Sequence, residues 1–127
     1  MREIRALIVD DSSVMRKIVE RSLRQAGLES LIVLEAGSGV EGLELLKAKQ
    51  VDLILSDINM PAMDGLEFLR QLRSQQLATG VPVVMITTES SEEHVKQAIE
   101  AGAMGYIRKP FTADQVKQKV VSLLPAL

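Results

Sequence analysis

Five short apolar runs punctuate the chain: Ile4–Val9, Leu31–Leu34, Val51–Ser56, Val81–Ile86 and Met104–Ile107. Most carry β-branched residues in near-continuous runs instead of alternating apolar with polar positions, the pattern of strands covered on both faces in a parallel sheet. The segments between them follow a helical period. Met15, Val19, Ser22, Leu23 and Ala26 keep the i, i+4, i+7 spacing of one helix face, while Arg16, Lys17, Glu20, Arg21 and Arg24 point elsewhere. Leu66, Leu69 and Leu72 repeat the pattern, as do Val116, Val120, Leu123 and Leu124.

Helix boundaries agree with this segmentation. Ser38-x-x-Glu41, Ser90-x-x-Glu93 and Thr112-x-x-Gln115 have the spacing of a capping box, and Asp64-x-x-Glu67 is its acidic analogue. Gly27 and Gly102 fall where two helices should stop, and the last helix is expected to end near Leu124-Pro125. The helix after Asp10-Asp11-Ser12-Ser13 has Met15 and Arg16 where a box would need an acid or amide, so its start answers to another demand. Alternating β and α units predict an α/β fold, a (βα)5 doubly wound five-stranded parallel sheet with helices on both faces. No linker, repeat or low-complexity tract divides residues 1–127, which are expected to form a single domain.

Composition narrows the functions open to such a fold. Fifteen Lys and Arg against seventeen Asp and Glu leave a charge of −2, which offers no general attraction to nucleic acid or anionic lipid. The absence of cysteine excludes disulfides, cysteine–zinc sites and thiol catalysis, and a single histidine, His94, excludes a multi-histidine metal site. His94 is expected to be a solvated helix residue, and the six methionines to fill the core. The apolar stretch before Asp10 is too short for a signal peptide and no run reaches the length of a membrane span, so the expected location is cytoplasmic.

In an open parallel sheet, ligands bind beyond the carboxyl ends of the strands, where strand order reverses. Here the first run ends at Asp10-Asp11, the third at Asp57, the fourth at Thr87-Thr88 and the fifth at Lys109-Pro110. Clustered carboxylates repel one another unless a cation joins them. Hard oxygen ligands suit Mg²⁺, whose remaining ligand is commonly phosphate. An Asp carboxylate can attack phosphorus to give an aspartyl phosphate, and the charge that develops needs metal, ammonium and hydroxyl donors. Lys109 and Thr87 supply the last two.

Taken in order and spacing, Val9-Asp10-Asp11-Ser12, Asp57-Ile58-Asn59-Met60-Pro61-x-Met63-Asp64-Gly65, Thr87 and Gly105-Tyr106-Ile107-Arg108-Lys109-Pro110-Phe111 resemble the CheY-like receiver domain of bacterial response regulators, over nearly the whole chain. Asp11-Ser12-Ser13-Val14-Met15-Arg16 and Asn59-Met60-Pro61 are most similar to its chemotaxis branch. The resemblance implies strand order 2-1-3-4-5, a cis Lys109–Pro110 bond, and a monomeric phosphoacceptor rather than a turnover enzyme. It implies phosphoryl transfer to Asp57 from a phosphohistidine on a sensor histidine kinase, CheA-like in this branch. Asp11 and Asp57 would hold Mg²⁺ by their carboxylates, Asn59 by its main-chain carbonyl and Asp10 through a bound water. Asn59 and Glu89 would flank the phosphoryl group. Lys109 would pair with one phosphoryl oxygen, Thr87 would move to another, and Tyr106 would swing inward behind it. The output face would then lie on the fourth helix, fifth strand and fifth helix, through Val95, Ile99, Tyr106, Arg108 and Lys117, with a flagellar motor switch protein or a phosphatase as partner.

Alternatives within the class are a phosphorelay shuttle, a phosphate sink, or a receiver cut from a larger regulator. Two rivals lie outside it. A flavodoxin needs a Ser/Thr/Gly loop after the first strand, where Asp10-Asp11 would repel the flavin phosphate. A phosphohydrolase with an Asp nucleophile usually has a second Asp two residues on as general acid, where this chain has Asn59.

Overall fold

The computed structural model describes residues 3–28, 30–88 and 92–124. Strands and helices alternate: β1 (Ile4–Val9), α1 (Ser13–Gln25), β2 (Leu31–Ala36), α2 (Gly39–Ala48), β3 (Leu53–Ser56), α3 (Gly65–Ser74), β4 (Val83–Thr87), α4 (Glu92–Glu100), β5 (Gly105–Arg108) and α5 (Ala113–Val120). The five strands pair in parallel as one sheet, in the order β2-β1-β3-β4-β5. Because β1 lies between β2 and β3, the chain reverses its direction of winding there, and the crevice beyond β1 and β3 is the switch point. Among the described residues no helix is long and apolar enough to cross a membrane.

Strand pleating divides the core in two. Leu7, Val9, Ile54 and Met85 face α2 and α3 side chains such as Leu43, Phe68 and Leu69. Ala6, Ile8, Leu55 and Ile86 face the opposite layer, where Val19 and Leu23 of α1 meet Val116 and Val120 of α5. Ser22 fits this apolar stripe because its hydroxyl donates to the Ile18 carbonyl one turn back. The central strands β1, β3 and β4 are almost wholly buried, whereas edge strands β2 and β5 are partly open to water. Similar apolar runs therefore serve two environments. Pairing also starts later than apolar character does: β3 begins at Leu53 and β4 at Val83, since Val51 is buried without joining a ladder and Pro82 has no N–H to give one.

The caps follow the sequence with two differences. Thr112 and Gln115 form the full reciprocal box at the start of α5, and the Asp64 carboxylate accepts from the Glu67 N–H. Ser38 accepts from the Glu41 N–H, but the Glu41 carboxylate reaches past it to the Gly37 N–H. The α1 cap is Ser12, accepting from Met15 with no returning acid. The Ser90 box lies outside the described residues. Gly27 and Gly102 both have φ of +109°, which suits glycine after a helix end. The last helix stops at Val120, earlier than expected, and tightens into a 3₁₀ turn over Val121–Leu123. Since α5 carries Val116 and Val120 into the core, Thr112→Ala should lower stability by about 1 kcal/mol in chemical denaturation, with Thr112→Ser retaining most of it.

Candidate functional site

Two parallel ladders deliver the acidic residues to one rim. The Asp10 N–H donates to the Ala36 carbonyl (3.1 Å) and the Asp57 N–H to the Val9 carbonyl (3.0 Å), so both residues are anchored at the last rungs of the sheet. The Asp10 carboxylate then accepts from the Ser12 N–H at 2.9 Å. The Asp57 carboxylate accepts from the N–H of Ile58 at 2.7 Å and of Asn59 at 3.3 Å, which fixes its rotation. Lys109 extends the β4–β5 ladder through its N–H to the Thr87 carbonyl. Its ammonium bridges Asp10 (3.1 Å) and Asp57 (3.4 Å), and the cis bond to Pro110 matches expectation.

One ammonium thus faces two buried carboxylates, and a third joins them. Oxygens of Asp10, Asp11 and Asp57 lie within 4.8 Å of one another. Asp11 differs from its neighbour: Asp10 is buried, while Asp11 is exposed. Three carboxylates against one ammonium leave an excess of negative charge on hard oxygens, a donor set that fits a divalent cation such as Mg²⁺. Thr87 is fully buried at the end of β4, with its hydroxyl 3.5 Å from the Asn59 amide nitrogen.

The segment between Asp57 and α3 folds tightly under the site. The Gly65 N–H donates to the Ile58 carbonyl (2.8 Å), the Met63 N–H to the Pro61 carbonyl (2.8 Å), and Ala62 takes a positive φ of 66°. The Ser56 hydroxyl donates to the Asp57 carbonyl.

Tyr106 sits on β5 opposite Met85, half-buried against the α2–α3 side of the core, with its hydroxyl shielded from solvent. The residues expected on the output face do not share one furrow. Val95 and Ile99 line a shallow groove along α4, Tyr106 and Arg108 line another between β5 and α5, and Lys117 lies on α5 beside Asp114 and Ser122. Met104, at the entrance to β5, is 57% exposed and Ile99 59%, so Met104 adds to the exposed apolar surface and is not core filling. His94 is half-buried with Nδ1 out of reach of solvent, and is not the solvated residue expected. Glu89 lies outside the described residues.

Sequence reading missed Arg16 and Glu35. Arg16 belongs to the set assigned away from the core stripe, yet its guanidinium is only 17% exposed and donates to both the Asp10 carbonyl and Glu35. Glu35, on β2 beyond the apolar run, also accepts from Lys17 at 2.9 Å. The Lys17 hydrogen bond, aided by Arg16 and opposed by partial burial, holds the Glu35 carboxyl below its ordinary range, and Glu35 in turn raises Lys17.

Residues 6–121 match the family model described as the response regulator receiver domain. The chain belongs to that family. Receiver domains are phosphoacceptors that bind Mg²⁺ through acidic residues, and in this receiver Asp10, Asp11 and Asp57 are the carboxylates placed to do so. It is 39% identical over 126 residues to the chemotaxis protein CheY-3 of Vibrio cholerae, covering 99% of this chain and 95% of that one. It is 40% identical over 122 residues to a chemotaxis protein CheY homolog of Campylobacter jejuni, covering 95% and 92%. Among solved structures, the receiver superposes on chemotaxis protein CheY4 of Vibrio cholerae with a TM-score of 0.85 at 34% identity, covering 97% of this chain and all of that one. The receiver domain of the putative response regulator NarL from Mycobacterium tuberculosis gives 0.83 at 32% identity, covering 96% of each.

Proposed function

We propose that residues 1–127 act as one receiver unit that takes a phosphoryl group from a phosphohistidine on a CheA-like sensor kinase. The observation that carries this reading is the Lys109 ammonium bridging Asp10 and Asp57 with Asp11 within reach. In the transfer the N–P bond of the phosphohistidine breaks as a carboxylate oxygen of Asp57 bonds to phosphorus, and the freed imidazole takes up a proton. The amides of Ile58 and Asn59 hold the carboxylate in place through the attack. Lys109 offsets charge on the phosphoryl oxygens, and the Thr87 hydroxyl donates to one of them. Asp10, Asp11, Asp57 and the Asn59 main-chain carbonyl would hold Mg²⁺. The ion, when bound, supplies the remaining charge neutralisation.

Movement of Thr87 toward the phosphoryl group frees space for Tyr106. That couples the site to the α4–β5–α5 side, where Val95, Ile99, Arg108 and Lys117 offer contacts to a cytoplasmic partner. The names of the Vibrio and Campylobacter relatives favour chemotaxis, with a flagellar motor switch protein as target and a phosphatase to reset the switch.

Intact-mass spectrometry after incubation with acetyl phosphate tests the transfer. Wild type should gain one phosphoryl group only with Mg²⁺, and Asp57→Asn should gain none. An adduct that persists in Asp57→Asn would move the acceptor elsewhere. A beryllofluoride complex that binds a motor switch peptide no better than the free protein would overturn the motor assignment.

A further inference from the structure

The carboxylates at the rim are not held alike. Asp10 is anchored by the Ser12 amide and Lys109, and Asp57 by the amides of Ile58 and Asn59 and by Lys109. The Asp11 side chain has no hydrogen-bond partner among the described residues, so its direction depends on the backbone that carries it. That backbone leaves the sheet here. The Asp10 N–H makes the last bond to β2, and the Asp10 carbonyl is the first acceptor beyond the ladder.

Arg16 supplies its donor. Nη1 of Arg16 donates to the Asp10 carbonyl (2.5 Å) while Nε donates to Glu35 (3.0 Å). The Asp10 carbonyl and the Asp11 N–H belong to one rigid peptide unit, so holding the first fixes the plane from which Asp11 departs. Glu35 is itself placed by β2, in register with Ile8.

We propose that Arg16, held by Glu35, is a positioning residue that fixes the Asp10–Asp11 peptide and so aims the Asp11 carboxylate at a divalent cation. The inference rests on the metal-site reading above, and charge gives it a test of sign. A guanidinium near the site repels a cation, so if Arg16 acted by charge alone its removal would tighten binding. If it positions Asp11, removal weakens binding, as loss of an outer-shell partner does.

Mn²⁺ binding, followed by the resonance of the free ion, is the measurement, on protein whose folding is checked by metal-free denaturation. Arg16→Ala should weaken Mn²⁺ by about tenfold. Arg16→Lys, able to reach one partner but not both, should fall between and serves should the alanine variant not fold. In metal-free protein the amide resonance of Asp11 should shift or broaden in either variant, with those of Asp57 and Lys109 unchanged. Tighter or unaltered Mn²⁺ binding overturns the proposal, as does equal disturbance of all three amides, which would mark a general structural role. A wild type that binds no Mn²⁺ overturns the metal-site reading itself, a distinct result.

Discussion

Gly65→Ala is expected to lower stability by about 3 kcal/mol or more and to abolish the phosphoryl adduct at Asp57. A Cβ at Gly65 would sit 2.1 Å from the Asp57 carbonyl oxygen and 2.8 Å from both the Ile58 Cα and the Met85 Cε. Met85 could give way, but the backbone of the phosphoacceptor cannot, because the Asp57 N–H and its carboxylate are both tied to neighbouring backbone. Backbone conformation is not the reason. Gly65 is the first residue of α3 and its φ is not positive, so alanine would otherwise be favoured there by helix propensity. Gly27→Ala is the control: its φ of +109° makes alanine strained, but nothing lies within 4 Å of the new Cβ, so Asp57 should stay phosphorylatable. Urea unfolding and the acetyl phosphate assay read both effects, and a Gly65→Ala protein with wild-type stability would mean that α3 can back away freely.

Lys109→Met should cost about 3 kcal/mol in metal-free buffer, much of it recovered by Mg²⁺. Methionine keeps most of the buried stem but removes the charge. The side chains of Asp10 and Asp57 are 6% and 10% exposed and share this one ammonium, itself 11% exposed. Without it two shielded carboxylates face each other uncompensated, and a divalent cation becomes the remaining source of positive charge. The midpoint of unfolding should therefore rise more steeply with Mg²⁺ in the variant than in wild type. Asp57→Asn, which leaves Lys109 paired with Asp10, should stay folded and so serve as a sound control for phosphorylation. Equal Mg²⁺ dependence in Lys109→Met and wild type would show that the ammonium and the ion do not compete for the same charge.

Legibility along the chain followed the range of the interactions involved. Asp57 stood out because a carboxylate closing an apolar run is a poor strand former, whereas Lys109 alone reads as a solvated charge and gained its meaning only beside Asp10, Asp11 and Asp57 at the other strand ends. Strand limits were less readable. Val51 and Val81 look like strand residues because they are apolar, yet the registered ladders begin two residues later, at Leu53 and Val83. The run at Leu31–Leu34 did not announce an edge strand, since exposure depends on having no neighbour on the far side. Arg16 was hidden for a related reason: its place off the apolar stripe predicts solvent, and only the bend of the chain between Asp10 and α1 brings a carbonyl within its reach. His94 and Met104 were misplaced in opposite directions, because helix and strand patterns give a side chain's direction but not what lies beside it.

By itself, the sequence determined the number and order of strands and helices, most of their caps, and the kinds of group available for chemistry. These depend on periodicity, on side-chain hydrogen bonds spanning three or four residues, and on the identity of single residues. Tertiary structure decided which of those groups meet. Lys109 reaches Asp10 across 99 positions and Asp57 across 52. Such contacts are set by strand order and register, where a shift of one residue would turn each side chain to the opposite face, and no local pattern records that choice.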